Sequence, residues 1–335
     1  MPILSPLPGP VGAHSASWQI ELREAIRSGE ELCRRLRLPA AAASSAAEQD
    51  FSVFAPESYV SRMRPGDPAD PLLRQVLAVG EETRPVAGFH HDPVGDRAAL
   101  RQTGLIHKYQ GRALLVTTGI CAVHCRYCFR RHFPYAEQTA KDMDAALAAI
   151  RSDDSIEEVL LSGGDPLTLS DHRIASLVER LAEIGHVRRL RFHSRLPIVI
   201  PSRVTSELVD VLRGTRLTTW MVVHANHARE ICDQTVAALG RLVDRGVPVL
   251  NQAVLLRGVN DSVEAQCELA TALVDARVTP YYLHLLDKVA GAAHFDVPES
   301  KGQELIQAMR RQLPGYAVPR LVREVPGEPG KRFLA

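Results

Sequence analysis

From about residue 105 onward, short apolar runs rich in branched residues alternate with longer amphipathic stretches. The runs at 113–117, 158–161, 189–193, 219–224, 248–255, 279–283 and 317–322 predict strands. The stretches at 139–150, 173–184, 206–212, 234–245, 263–276 and 302–312 carry the helical period. Strand–helix alternation of this kind builds a parallel sheet. Six or seven such units predict an α/β fold with a barrel, complete or partial, in preference to a short open sheet. The first hundred residues read differently. An amphipathic pattern at 18–27, with Trp18, Ile20, Leu22 and Ile26 among charges, continues at 31–38 beyond Gly29. An Ala- and Ser-rich stretch at 40–47 reads as a helix or a surface connection. Pro65-Gly66-Asp67-Pro68 and Asp92-Pro93-Val94-Gly95-Asp96 cut the rest into short elements. The expectation is a helical N-terminal extension over 1–100, from which no chemistry can be argued, and an α/β core over 101–335.

In such barrels the chemistry gathers at the C-terminal ends of the strands. The polar and glycine-rich segments fall there: 119–131, Ser162-Gly163-Gly164-Asp165-Pro166, His193-Ser194-Arg195, His224-Ala225-Asn226-His227 and Leu285-Leu286-Asp287-Lys288.

Composition narrows the class. Apolar residues make up 45% of 335, enough for a sizeable core. Forty basic residues against 39 acidic ones give no support for nucleic-acid or membrane-surface binding. No apolar run approaches the roughly 20 residues that span a bilayer. Met1-Pro2-Ile3-Leu4-Ser5-Pro6 lacks the basic and apolar regions of a signal peptide, so a cytoplasmic location is expected.

Of the six cysteines, Cys33, Cys232 and Cys267 are scattered, whereas Cys121, Cys125 and Cys128 form C-x3-C-x2-C. Three thiolates from one loop can hold three irons of a cubane cluster, whose full ligation needs four, leaving one iron for a chelating ligand. The metal alternative is zinc, with His124 or His132 completing a Cys3His set, and the alternative class is a non-catalytic metal scaffold.

C-x3-C-x2-C just after a first strand, with Tyr127 before the last cysteine, resembles the radical S-adenosylmethionine (SAM) superfamily. The resemblance implies a partial (βα)6-type barrel and a 4Fe–4S cluster whose open iron is chelated by SAM. Electron transfer then cleaves SAM to a 5′-deoxyadenosyl radical. Ser162-Gly163-Gly164-Asp165 is similar to the superfamily's glycine-rich SAM-binding segment. From residue 100 to the C-terminus the resemblance narrows to lysine 2,3-aminomutases. Gly104-Leu105-Ile106-His107-Lys108-Tyr109, Cys128-Phe129-Arg130-Arg131, the segment 251–261, Gly291-Ala292-Ala293-His294-Phe295 and Gly315-Tyr316-Ala317-Val318-Pro319 carry it. That family moves an amino group from the α to the β carbon with pyridoxal phosphate and the radical.

The resemblance also implies roles. Gly327-Glu328-Pro329-Gly330-Lys331 is similar to the glycine-rich segment ending in the pyridoxal lysine, so Lys331 forms the internal aldimine. Arg130 meets the substrate carboxylate, and Asp287 and Glu324 meet its side-chain ammonium. Lys108, Tyr109 and Arg112 match pyridoxal phosphate contacts, while His224 and Gln252 match SAM contacts. Free-lysine enzymes have aspartate where Glu324 stands; the charge is kept, so lysine stays the expected substrate. Those enzymes also continue past the pyridoxal lysine and carry zinc cysteines. Here the sequence stops four residues after Lys331, has Ser262 at one zinc position, and has no cysteine beyond Cys267. These features resemble the elongation factor P (EF-P) branch, whose (R)-β-lysine is attached to EF-P by a partner ligase. A reductant protein for the cluster is implied too. The alternative is a free-lysine or glutamate 2,3-aminomutase of amino-acid metabolism.

Overall fold

The computed structural model describes residues 17–139 and 143–335. Met1–Pro6 and positions 140–142 of the predicted helix at 139–150 lie outside the described residues. Ten strands form one sheet in sequence order. They are β1 (Leu100–Gln102), β2 (Leu105–Tyr109), β3 (Arg112–Thr118), β4 (Glu158–Gly163) and β5 (Arg189–Ser194), followed by β6 (Thr218–Val223), β7 (Val249–Val254), β8 (Thr279–His284), β9 (Arg320–Arg323) and β10 (Arg332–Phe333). Every pairing from β3 to β9 is parallel, whereas β1–β2, β2–β3 and β9–β10 are antiparallel. The sheet order ends at β1 and β10, so the barrel is partial.

The seven parallel strands match the runs read from the sequence to within a residue or two, except at the last. There the run at 317–322 begins in a tight helical turn, Gly315–Ala317, and Pro319 has no N–H to give, so pairing starts at Arg320. The returning helices start where a hydroxyl supplies the first cap. Ser170, Thr205 and Ser262 accept from the backbone N–H of Arg173, Leu208 and Ala265, opening the helices Asp171–Ala182, Ser206–Arg213 and Val263–Asp275.

Strand alternation divides apolar from polar faces. In β4, Val159 and Leu161 are buried in the main apolar core, while Glu158, Leu160 and Ser162 line the barrel's cavity. In β5, Leu190 and Phe192 go to the core, and Arg191 and His193 to the cavity.

The N-terminal segment shares that core: Trp18, Leu32, Phe54 and Leu72 belong to the same cluster as Leu196, Ile198 and Val199. Its first helix, Ser17–Arg23, stops short of the predicted 18–27 because Ile26 exchanges two backbone hydrogen bonds with Ala55, at 2.8 and 3.0 Å. The segment also grips the cysteine loop. Phe54 and Gln75 carbonyls accept from the N–H groups of His124 and Arg126, both at 2.9 Å. Arg126 and Arg131, fully buried, both donate to Glu82.

Candidate active site

One cavity of about 640 Å³ occupies the barrel's interior. Cys121, Cys125 and Cys128 line it, and all three are free thiols. Burial, then the neighbouring thiols, pushes Cys128 up to about 12 and Cys121 well above the ordinary thiol value. A bound metal deprotonates such a thiol outright. His124 turns its Nδ1 to the Ser52 carbonyl at 2.9 Å, and His132 its Nε2 to the Ala290 carbonyl at 3.1 Å. Neither lines the cavity. Among the described residues no three Cys, His, Asp or Glu side chains converge on a single ion. Thiols that hold separate irons of a cluster need no such convergence.

The glycine-rich end of β4 packs backbone to backbone on the cysteine loop. Gly164 N–H donates to Thr118 O and Asp165 N–H to Ile120 O, both at 2.7 Å. A Cβ on Gly164 would lie 2.2 Å from Ile120 O, and Gly163 sits at φ +123°, so both positions require glycine. The Asp165 carboxylate accepts from Ser194 Oγ and from the N–H groups of Leu167, Arg195 and Leu196 at 2.7–3.1 Å. It therefore ties the loop after β4 to the loop after β5. Ser162 Oγ lies 3.2 Å from Arg130 Nη1.

Arg130 is held by a residue that the sequence reading left out. Asp96 accepts from Arg130 Nε at 2.7 Å and pairs with Lys108 Nζ at 2.6 Å. Burial would raise this carboxyl, but the two cations overcome it and hold it below its ordinary value. Asp96 thus fixes the arginine and the lysine side by side, with Arg130 Nη2 taking no acceptor among the described residues.

Lys331 Nζ lies 2.7 Å from Glu324 Oε2. Tyr109 donates to the other Glu324 oxygen, and Lys108 Nζ is 3.8 Å from it. These contacts join β2 to the segment after β9, bridging the gap that the backbone leaves open. Burial would raise Glu324, but Lys331, Tyr109 and Lys108 together outweigh it and the carboxyl ends below its usual value. Asp287, half-buried and in the field of Glu324, is pushed up to about 7, chiefly by desolvation. Arg112 stacks over the Tyr109 ring at 4.4 Å.

His224 and Gln252 meet in the same cavity, Nε2 to Nε2 at 3.3 Å. Burial, then Arg195, lowers His224 to about 3, so it is a neutral imidazole. Every residue given a cluster, SAM, pyridoxal phosphate or substrate role from the sequence, from Lys108 to Lys331, therefore borders one space. Arg191, His193 and His284 border it too; Arg191 and His284 were missed, and His193 was named only within a polar strand-end segment. Arg191 Nε, His193 Nε2 and His284 Nε2 are buried without a hydrogen-bond partner among the described residues. Orphaned polar atoms on residues that line a cavity leave hydrogen-bonding capacity for a polar ligand there. The alternating Arg189-Leu190-Arg191-Phe192-His193 was the available signal, since polar residues at every second strand position mark a polar barrel lining.

A partial parallel barrel with three free thiols at the end of its first parallel strand defines a radical SAM enzyme, and residues 115–270 match the radical SAM superfamily model. The chain is 44% identical over 322 residues to L-lysine 2,3-aminomutase of Escherichia coli (strain K12), covering 95% of this chain and 94% of that one. It is 42% identical over 330 residues to L-lysine 2,3-aminomutase of Haemophilus influenzae, covering 97% and 98%. The chain belongs to the lysine 2,3-aminomutase family and is an isomerase of the aminomutase type. Membership implies a 4Fe–4S cluster, SAM and pyridoxal phosphate. The free thiols and the orphaned polar atoms fit such a set. Among solved structures, Streptococcus suis SuiB bound to precursor peptide SuiA shares the fold, with TM-score 0.50 and 14% identity, covering 68% of this chain and 52% of that one. No described helix is long and apolar enough to cross a membrane.

Proposed function

We propose that this chain converts lysine to (R)-β-lysine in the barrel cavity, for attachment to EF-P by a partner ligase in the cytoplasm. The observation that carries the substrate assignment is the charge set of one cavity, lined by the cation Arg130 together with the carboxyls Asp287 and Glu324. Cys121, Cys125 and Cys128 would hold the cluster. Ser162, Gly163, Gly164, Asp165, His224 and Gln252 would surround SAM, with Asp165 acting through the loops it ties. Lys331 would carry pyridoxal phosphate, flanked by Lys108, Tyr109 and Arg112. When bound, the cluster and SAM supply a hydrogen-abstracting radical, and pyridoxal phosphate supplies a conjugated carrier for the moving amino group.

The chain's own residues orient the substrate. Arg130, locked by Asp96, offers Nη2 to the substrate carboxylate. Asp287 and Glu324 are two carboxyls lining one cavity, each raising the cost of charging the other, and an alkylammonium bound beside them relieves that like-charge repulsion. A substrate ending in a carboxylate finds the opposite. The EF-P branch is supported by relatives matched along nearly their whole length and by Ser262, which here caps a helix. The test is turnover of lysine against glutamate with SAM and a one-electron reductant from the cell or dithionite. Lysine is expected to react, with Asp287→Asn raising its KM; preference for glutamate overturns the assignment. For the partner, EF-P incubated with its ligase and lysine should carry β-lysine, identified chromatographically after hydrolysis, only when this enzyme is present, and equal β-lysine content without it overturns the link.

A further inference from the structure

The loop after β5 carries a buried arginine that the roles above leave without a task. Arg195, 6% exposed, directs Nη1 at Cys125 Sγ, 2.7 Å away, and at Tyr127 OH, 2.8 Å away. Its Nη2 donates to Gln75 Oε1 at 2.7 Å, Glu230 Oε2 at 2.9 Å and Tyr59 OH at 3.2 Å. These partners are themselves fixed. Glu230, fully buried, also accepts from Asn226 N–H at 2.9 Å and from Gln75 Nε2 at 3.1 Å. The Tyr59 and Tyr127 rings lie 5.4 and 5.7 Å from the guanidinium carbon. The carboxylate of Glu230 needs only Nη2, yet the network holds Nη1 against the sulfur.

We propose that Arg195 is a positioning residue of the cluster, whose N–H bond to Cys125 sulfur raises the cluster's reduction potential. The inference rests on Cys125 being a cluster ligand. Reduction adds one electron to the cluster, and part of the added charge resides on its thiolate sulfurs. A donor aimed at one of those sulfurs stabilises the reduced form more than the oxidised form. Glu230 balances the arginine's net charge, so the directed bond carries most of the effect. The contacts with Tyr59 and Gln75 also make the N-terminal segment part of the redox site's support.

Arg195→Met and Arg195→Lys, reconstituted anaerobically with iron and sulfide, test this. Iron content reports the cluster, and a mediated dithionite titration followed by electron paramagnetic resonance reports its midpoint potential without turnover. The expected result is a full cluster with a lowered midpoint and an altered reduced-state spectrum, more so for methionine than for lysine. Where the methionine variant loses iron, the lysine variant's midpoint decides. Arg203→Lys is the control. Arg203 is fully buried and donates to Leu167 O at 2.6 Å, but it touches no cysteine, so its midpoint should match wild type. A full cluster with an unmoved midpoint in the Arg195 variants overturns the inference alone, as does an equal shift in Arg203→Lys. A wild-type chain that takes up no cluster overturns the ligand assignment as well.

Discussion

Replacing Asp96 by asparagine tests how the substrate-side cations are held. The carboxylate is 3% exposed and receives Lys108 and Arg130 at 2.6 and 2.7 Å. Each charge-assisted hydrogen bond contributes about 1.5–3 kcal/mol, and breaking a buried pair costs roughly 3–5 kcal/mol. Asparagine keeps the shape and one acceptor, so a loss of about 3 kcal/mol is expected, near the lower end of that range. With an unfolding entropy of about 2.1 cal/mol/K per residue, this chain should lose about 4 °C in Tm. Substrate affinity should fall with it, because Arg130 loses the group that fixes Nε; a tenfold rise in lysine KM corresponds to about 1.4 kcal/mol. The pH dependence gives the sign. Asp96 is held below its ordinary value, so its contribution is complete above the unfolded value, about 3.9, and disappears as pH falls through the folded one. The gap between wild type and Asp96→Asn should therefore be full at neutral pH and shrink below about pH 4. Thermal unfolding at both pH values, with lysine kinetics at neutral pH, is the assay. A Tm within a degree of wild type at neutral pH, together with an unchanged KM, refutes the reasoning.

Other outcomes follow from the same cavity. Lys331→Ala should abolish the visible absorbance of bound pyridoxal phosphate while iron content stays unchanged; retained absorbance would sink the lysine's assignment. Gly164→Ala places a Cβ 2.2 Å from Ile120 O and 2.6 Å from Ile120 C, so the cysteine loop must move. Iron bound per chain, measured after reconstitution, should fall severalfold. Asp287 titrates at about 7, so kcat/KM for lysine should climb as pH rises through that value, and Asp287→Asn should lose that limb. The same raised value lowers folding stability as pH rises from about 4 to 7, because the unfolded chain gives up this proton first.

The parallel strands were legible because each is an apolar run between turn residues, with burial set by strand period. β1, β2 and β10 escaped notice: they are short, and both residues of β10 are exposed, so neither length nor alternation announces them. Cys121, Cys125 and Cys128 declared themselves by spacing, and Arg130 and Lys331 by the motifs around them. Asp96 could not be found that way. It lies in a proline- and glycine-rich loop that reads only as punctuation, and its importance comes from two cations distant in sequence. Arg195 stood in a polar strand-end segment, but no motif there assigned it a task. Its partners come from the N-terminal segment, the cysteine loop and the loop after β6, an assembly that only folding creates. The N-terminal hundred residues, read as carrying no chemistry, supply Tyr59, Gln75, Glu82 and Asp96 to the surroundings of the site.

The most direct test of the central claim is chiral chromatography of the amino-acid product against authentic lysine and (R)-β-lysine, isomers of equal mass. The reconstituted enzyme is incubated anaerobically with lysine, SAM, pyridoxal phosphate and dithionite. The account predicts conversion of lysine to (R)-β-lysine that disappears when Cys125 is replaced by alanine. Lysine recovered unchanged from wild-type enzyme with a full cluster, or the same product from Cys125→Ala, would contradict it.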